Sequence, residues 1–142
     1  MASVASVERS AKTTRVLIVD DHAPTRDHVT RVLQRAFTVI GALPDADSLM
    51  AQWEVSRPDV VVLDISLGED TGFAAMSRVR LQGSTAAVVF LSVHETSDLV
   101  RAAWMAGGLG YVAKRDLNSE LVPAINAALR GEWYVSSSIQ MH

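Results

Sequence analysis

Residues 16–26 read VLIVDDHAPTR, an apolar run that ends in two adjacent carboxylates and is soon followed by a proline. The run Val16–Val19 is apolar at every position, which is typical of a parallel strand covered on both faces. Pro24 suits the first turn of a helix, because the N–H that proline lacks would have no partner there. The stretch therefore predicts a strand, a short polar connection and a helix, the repeating unit of an α/β fold.

The same order of strand and helix recurs along the chain. Four more strands are predicted from short apolar runs at Thr38–Ala42, Val60–Leu63, Ala87–Leu91 and Leu109–Ala113. Each run is followed by apolar residues at helical spacing. Asp45 is a candidate N-cap of the second helix, and Thr71 or Gly72 opens the third. This alternation predicts a doubly wound parallel sheet of five strands with helices on both faces.

The composition of the 142 residues fits one globular domain, with 49% hydrophobic and 20% charged residues. A net charge of −3, from 13 basic and 16 acidic residues, argues against a broad nucleic-acid-binding surface. The absence of cysteine excludes disulfides and thiolate metal sites, and agrees with a reducing cytoplasm.

No apolar run approaches the roughly 18 residues of a membrane span. Residues 1–14, MASVASVERSAKTT, lack the apolar core of a signal peptide and are predicted to form a flexible leader.

Reactive side chains follow the predicted strands at their carboxyl ends, the edge at which open α/β sheets bind ligands. They are Asp20 and Asp21 after the first strand, Asp64 after the third, Ser92 after the fourth and Lys114 after the fifth. Adjacent carboxylates repel, and a cation such as Mg²⁺, which prefers oxygen ligands, would let them stay ionised together. A carboxylate can also attack phosphorus, assisted by a metal and a lysine around the phosphoryl oxygens. The set of residues therefore indicates metal-assisted phosphoryl transfer.

Four motifs in the same order resemble the receiver domain of two-component response regulators. They are VDD at 19–21, LDISLGEDTGF at 63–73, LS at 91–92 and YVAK at 111–114. The match covers residues 15–130 and implies a flavodoxin-like fold with strand order 2-1-3-4-5. GEWYVSSSI at 131–139 resembles the junction after the receiver in regulators of the NarL/FixJ type, which carry a LuxR-like helix-turn-helix effector. Residues 131–142 are accordingly expected to begin a linker or tail, with no effector domain in this chain.

The resemblance also implies roles for the residues at the strand ends. Asp64 would be the phosphoacceptor, and Asp20, Asp21, Asp64 and the backbone carbonyl of Ser66 would hold Mg²⁺, or Mn²⁺ in its place. Lys114 would bridge Asp64 and the phosphoryl oxygens. Ser92 would move toward the phosphoryl group and Tyr111 would turn inward behind it, which alters the surface of the fourth helix, fifth strand and fifth helix.

The partners that the resemblance implies are those of a cytoplasmic signalling module. A histidine kinase or phosphotransfer protein would supply the phosphoryl group, and the output would be transcription regulation in the full-length context. DNA would be contacted through an effector domain absent from this chain, and no membrane is involved. The family forms homodimers through the first and fifth helices or through the face of the fourth helix, fifth strand and fifth helix, and the sequence decides neither the oligomeric state nor the face. The receiver would assist its own phosphorylation and dephosphorylation and would not be an enzyme with a separate substrate.

Two positions near the phosphoacceptor depart from the common pattern of the family. Gly68 stands where a proline is frequent, which predicts a more mobile loop over residues 65–72. Val93 follows the switch hydroxyl where a small residue is usual, and its branched side chain is expected to narrow access to the site and to slow phosphorylation and hydrolysis. Arg115 follows the lysine where many relatives carry proline, so no cis peptide is implied there.

Three other functions can be compared with the residues at the strand ends. A phosphatase of the haloacid-dehalogenase type needs an Asp two residues after its nucleophile, and neither Asp64 nor Asp20 has one. A flavodoxin-like FMN or nucleotide binder needs a Gly- or hydroxyl-rich phosphate loop after the first strand, where this chain carries two acids. A stand-alone or degenerate receiver that acts by protein–protein interaction without phosphorylation stays open, because of Gly68 and Val93.

Overall fold

The computed structural model describes residues 13–141, and six strands there form one parallel sheet in the order β2-β1-β3-β4-β5-β6. The strands are β1 (Arg15–Val19), β2 (Thr38–Leu43), β3 (Val60–Asp64), β4 (Ala87–Ser92), β5 (Gly110–Ala113) and β6 (Tyr134–Val135). The helices that follow the first five strands are α1 (Ala23–Leu33), α2 (Ala46–Ser56), α3 (Gly72–Leu81), α4 (Ser97–Met105) and α5 (Leu117–Leu129). The doubly wound parallel fold predicted from the sequence is confirmed.

The predicted number of strands was too low. Tyr134–Val135 adds a sixth, two-residue strand beside β5, and Ser66–Leu67 pairs with Asp70–Thr71 in a separate antiparallel hairpin after β3. Pairs of this length carry no periodic pattern, so the sequence predicted a tail and a loop at these places. The five principal strands begin and end within one residue of their predicted bounds.

The sheet separates two apolar layers, which explains why its strands are apolar at nearly every position. Val16, Ile18, Val60 and Val62 face α1 and α5, and contact a cluster that includes Leu33 and Ile125. Leu17, Val19, Val61 and Leu63 face α2, α3 and α4, in a cluster that includes Leu49, Met76 and Val100. Every residue of β3 is buried, including Asp64 at its end.

Two of the predicted helix caps are made by side chains. Oδ1 of Asp45 accepts the backbone N–H of Ser48 at 2.7 Å, and Oγ1 of Thr71 accepts the backbone N–H of Ala74 at 3.1 Å. Each bond satisfies a donor that the first turn of a helix leaves without an intrahelical partner. Thr71 is the N-cap of α3, which settles the choice between Thr71 and Gly72.

The residues after α5 pack on the domain. The predicted leader, residues 1–14, lies outside the described residues except for Thr13 and Thr14. At the other end, Ser136 and Ile139 are buried, at 1% and 7% exposure, so the part of the chain predicted as linker or tail packs on the domain. Among residues 13–141, no helix combines the length and the apolar character needed to cross a bilayer.

Gly72 brings the start of α3 against the end of β3, and we predict that its replacement damages both. A Cβ at Gly72 would lie 2.4 Å from the carbonyl oxygen of Asp64 and 3.0 Å from Cα of Ile65, both backbone atoms. We expect Gly72→Ala to lower the free energy of unfolding by roughly 1–3 kcal/mol, as overpacking does in other cores. Urea denaturation measures this.

Gly110→Ala is the control for Gly72→Ala. Its Cβ would meet methyl groups of Val89 at 3.2 and 3.3 Å, side-chain atoms that can shift. We expect the smaller loss there. Equal losses for the two variants would contradict the role given to the backbone contact at Asp64.

Candidate functional site

Three carboxylates meet at the carboxyl edge of the sheet. Asp20 and Asp21 directly follow β1, and Asp64 is the last residue of the neighbouring strand β3. One carboxylate oxygen from each of them lies within 4.8 Å of the others. Asp20 and Asp64 are buried, at 1% and 3% exposure, whereas Asp21 is exposed. The acids that the sequence placed at two strand ends therefore form one cluster.

Lys114 brings its ammonium group into this cluster from the far side of β4. Its Nζ donates a hydrogen bond to Oδ2 of Asp64 at 2.7 Å and lies 3.0 Å from Oδ2 of Asp20. Burial disfavours the ammonium form, but the hydrogen bond to Asp64 and the negative charges of Asp64 and Asp20 outweigh burial and raise the pKa of Lys114. Lys114 therefore stays charged at neutral pH and compensates part of the buried negative charge.

The surroundings of Asp64 shift its pKa and fix the direction of its side chain. Burial raises the pKa of Asp64, and this effect exceeds the opposing hydrogen bonds from Lys114 and from the backbone N–H of Ser66. The Ser66 bond reaches Oδ1 at 2.9 Å, while Lys114 takes Oδ2. Both oxygens of Asp64 are thus oriented, and the side chain is held in one direction.

The cluster fits a hard divalent cation in charge and in donor type. Three carboxylates face one ammonium, which leaves negative charge in excess, and carboxylate oxygens are ligands that Mg²⁺ prefers. Oδ2 of Asp20 is buried and, although it is 3.0 Å from Nζ of Lys114, has no hydrogen bond of good geometry to any described residue. A lone pair of Asp20 is therefore available inside the cluster. The role of the Ser66 carbonyl as a further ligand stays a prediction.

Ser92 and Tyr111, the predicted switch residues, lie next to each other on β4 and β5. Oγ of Ser92 accepts the backbone N–H of His94 at 2.9 Å, and the N-cap of α4 is Thr96, so Ser92 does not cap that helix. The hydroxyl of Tyr111 donates to the backbone carbonyl of His94 at 2.7 Å. Tyr111 is fully buried, and this burial raises the pKa of its phenol. Its ring already occupies the inward position.

The two departures from the family pattern have different structural settings. Gly68 has φ of +66° in the turn of the hairpin that follows β3, a left-handed conformation that glycine adopts freely and proline cannot. Val93 projects outward and is 65% exposed. The mobility expected around Gly68 and the effect of Val93 on access both stay predictions. The described residues contain no cis peptide bond, in agreement with the expectation at Arg115.

Two contacts around the site were missed in the sequence. Nη2 of Arg115 donates to Oε1 of Glu95 at 2.6 Å and so links the connection after β5 to the β4–α4 connection. Oγ of Ser136 accepts the backbone N–H of Ala113 at 2.8 Å. Neither has a local signal, since Arg115 and Glu95 are common surface types and Ser136 is one of three consecutive serines.

With this fold and this cluster established, comparison with known proteins defines the class. Residues 16–126 match the family model described as the response regulator receiver domain. The chain belongs to that family. A crystal structure of a LuxR-family two-component response regulator from Aurantimonas sp. SI85-9A1 has 32% sequence identity and a TM-score of 0.84, over 90% of this chain and 93% of that one. The receiver domain of NarL from Mycobacterium tuberculosis has 26% identity and a TM-score of 0.77, over 85% and 99% of the two chains.

The relatives include full-length regulators that are longer than this chain. The response regulator UvrY of Escherichia coli K12 is 28% identical over 126 residues, which are 87% of this chain and 58% of UvrY. The chain therefore spans little more than half the length of such relatives. The family and the resemblance to LuxR- and NarL-type regulators are confirmed for the receiver part.

The carboxylate cluster predicts that Mg²⁺ stabilises the protein. Ligand that binds only the folded state adds about 2.7 kcal/mol at roughly 100 times its dissociation constant, so the melting temperature should rise by several degrees over the chelated sample. Asp21→Asn removes one negative charge from the cluster and should reduce the rise. Differential scanning calorimetry with MgCl₂ and with chelator measures it.

Asp27→Asn is the matched control for Asp21→Asn, because Asp27 is an exposed acid on α1 outside the cluster. It should keep the full rise in melting temperature. A rise of the same size in Asp21→Asn would contradict the participation of that carboxylate.

Proposed function

We propose that the chain is a phosphorylation-dependent receiver that accepts a phosphoryl group on Asp64 from the phosphohistidine of a histidine kinase or phosphotransfer protein. The observation that carries the proposal is the position of Asp64, a buried carboxylate with an ammonium group 2.7 Å from one of its oxygens and two further carboxylates beside it. Membership of the receiver family supports the same assignment.

The proposed transfer uses Asp64 as the nucleophile. One of its carboxylate oxygens forms a bond to phosphorus as the P–N bond of the phosphohistidine breaks, and the imidazole nitrogen keeps the electron pair and takes up a proton. Lys114 then balances charge on the phosphoryl oxygens as it balances Asp64 beforehand. Asp20, Asp21, Asp64 and the carbonyl of Ser66 would hold Mg²⁺, which would supply additional positive charge to those oxygens.

The proposed switch passes through the connection between β4 and α4. In its bond with the His94 amide, Oγ of Ser92 is the acceptor, so that bond does not use the hydroxyl hydrogen. The hydroxyl can therefore donate this hydrogen to a phosphoryl oxygen. The hydroxyl of Tyr111 donates to the carbonyl of His94, so a movement of this connection would displace the ring of Tyr111. The surface that would change is formed by α4, β5 and α5.

The wider role proposed for the protein is transcription regulation in the cytoplasm. Relatives such as UvrY are response regulators of greater length, and this chain matches 58% of UvrY. Contact with DNA would then be made by an effector domain of the LuxR type in a longer protein. The receiver assists the gain and loss of its own phosphoryl group and acts on no separate substrate.

Incubation with acetyl phosphate and Mg²⁺ tests the proposal through the intact mass of the protein. We expect one added phosphoryl group, absent in Asp64→Asn and in the presence of chelator. Asp70→Asn, which alters an acid of the adjacent hairpin outside the cluster, should keep the adduct. Adduct on Asp64→Asn would place the acceptor elsewhere.

A parent protein without adduct calls for a second measurement. Titration with beryllofluoride and Mg²⁺ separates a receiver that does not use acetyl phosphate from one that has no working site. Binding of beryllofluoride would uphold the proposed function. Failure of both reagents would favour the degenerate receiver, which acts without phosphorylation.

Val93 yields a prediction about the lifetime of the phosphoryl group. Its branched side chain stands directly after Ser92, so Val93→Ala should open access and speed both phosphorylation and hydrolysis. Decay of the adduct after removal of the donor gives the lifetime by mass spectrometry. Val55→Ala, which trims an exposed valine on α2, is the control and should leave the lifetime unchanged. Equal lifetimes in Val93→Ala and the parent would refute the role of Val93.

A further inference from the structure

The C-terminal segment, residues 134–139, extends the sheet beyond β5. Strand β5 carries Tyr111 and ends directly before Lys114. The backbone N–H of Tyr134 donates to the carbonyl of Leu109 at 3.1 Å, and that of Ser136 donates to the carbonyl of Tyr111 at 2.9 Å. Strand β6 therefore covers an edge of β5 that would otherwise present unpaired backbone groups.

Ser136 ends this pairing through its side chain. Its Oγ accepts the backbone N–H of Ala113 at 2.8 Å, and the residue is 1% exposed. The chain turns away at this point, because the N–H of Ile139 donates to the carbonyl of Ser136 at 3.0 Å. The hydroxyl thus supplies an acceptor at the place where the backbone of the segment leaves the sheet.

The bond from Ala113 to Ser136 lies one residue from the phosphoacceptor site. Ala113 is fully buried, so loss of the hydroxyl would leave its N–H without a partner unless the backbone moved. The next residue is Lys114, whose Nζ lies 2.7 Å from Asp64 and 3.0 Å from Asp20. A shift of the peptide at Ala113 would change these distances.

Other contacts hold the segment to the domain independently of this hydroxyl. The carboxylate of Glu120 on α5 accepts the hydroxyl of Tyr134 at 2.9 Å, and the N–H and hydroxyl of Ser137 at 2.9 and 3.0 Å. Ile139 is buried in the apolar layer that also contains Tyr111. A change at Ser136 therefore alters the bond to β5 while these anchors keep the segment in place.

We infer that Ser136 is a positioning residue for Lys114, and that docking of residues 134–139 along β5 is coupled to occupancy of Asp64. The inference rests on the proposed function, in which Lys114 acts on a phosphoryl group. Coupling of this kind is reciprocal: a phosphoryl mimic at Asp64 strengthens docking by the factor by which docking strengthens binding of the mimic. Occupancy of Asp64 changes the docking of this segment through β5. This effect is separate from the change proposed at the surface formed by α4, β5 and α5.

Three variants of the whole chain test the inference. Ser136→Ala removes the hydroxyl, Ser136→Thr keeps one, and Ser137→Ala makes the same deletion one residue on, where the hydroxyl bonds to Glu120. Calorimetric titration gives the affinity for beryllofluoride in the presence of Mg²⁺ and, separately, the affinity for Mg²⁺ alone.

We expect Ser136→Ala to weaken beryllofluoride binding by about fivefold or more. Its affinity for Mg²⁺ alone should be equal to or above that of the parent, because a displaced Lys114 competes less with a cation for Asp20 and Asp64. Ser136→Thr should restore beryllofluoride binding and Ser137→Ala should match the parent. A merely structural role would weaken both ligands together, and that result would overturn the inference, as would parental affinity in Ser136→Ala.

Amide hydrogen exchange of the unaltered parent measures the reciprocal effect, which is the effect of the phosphoryl mimic on docking of the segment. This measurement needs no variant, so a variant that fails to fold does not affect it. Exchange at Tyr134 and Ser136 should slow when beryllofluoride and Mg²⁺ bind, and unchanged exchange would overturn the coupling. If the parent neither binds beryllofluoride nor takes up a phosphoryl group from acetyl phosphate, the proposed function fails and the inference fails with it. If the parent binds and Ser136→Ala binds equally well, only the inference fails.

Discussion

The ammonium group of Lys114 among three carboxylates is the interaction on which the site depends. Asp20 and Asp64 are nearly inaccessible to water, and burial alone raises the pKa of Asp64. A buried carboxylate needs a partner to remain ionised, and Lys114 lies within 3.0 Å of both. One ammonium does not balance three carboxylates, so the site keeps an excess of negative charge. That excess suits a divalent cation, and it leaves Asp64 beside a fixed positive charge.

The parallel sheet makes this interaction possible by bringing strand ends to one edge. Lys114 and Asp64 are separated by 50 positions in the chain, yet their side chains form a hydrogen bond. Register sets the level of each residue: Asp64 pairs with Leu91, and Ser92 pairs with Ala113. The helices on both faces bury every residue of β3, and Gly72 lets α3 begin directly against the backbone of Asp64. The geometry of the site is thus a consequence of close packing.

The C-terminal segment packs against the strand and the helix that surround Lys114, namely β5 and α5. It covers the edge of β5, bonds to the backbone at Tyr111 and Ala113, and is tied to α5 through Glu120. The pair Arg115–Glu95 links the connections that follow β5 and β4. The elements around the switch residues are therefore connected to one another on both sides of β5. A change at Asp64 would have two physical routes outward, one toward α4 and one toward the segment after α5.

The sequence by itself determined the α/β class, the order of the principal strands and helices, the cap at Asp45, and the residues that stand at the strand ends. These follow from local patterns: apolar runs, helical spacing and short polar motifs, the last of which also carried the resemblance to receiver domains. Tertiary structure alone decided that β6 exists, that Ser136 bonds to Ala113, that Arg115 meets Glu95 and that the ring of Tyr111 lies inward. Each of these is a contact between residues far apart in the chain with no periodic signal at either end, because the partner of a hydrogen-bonding group is chosen by the packing of the elements around it.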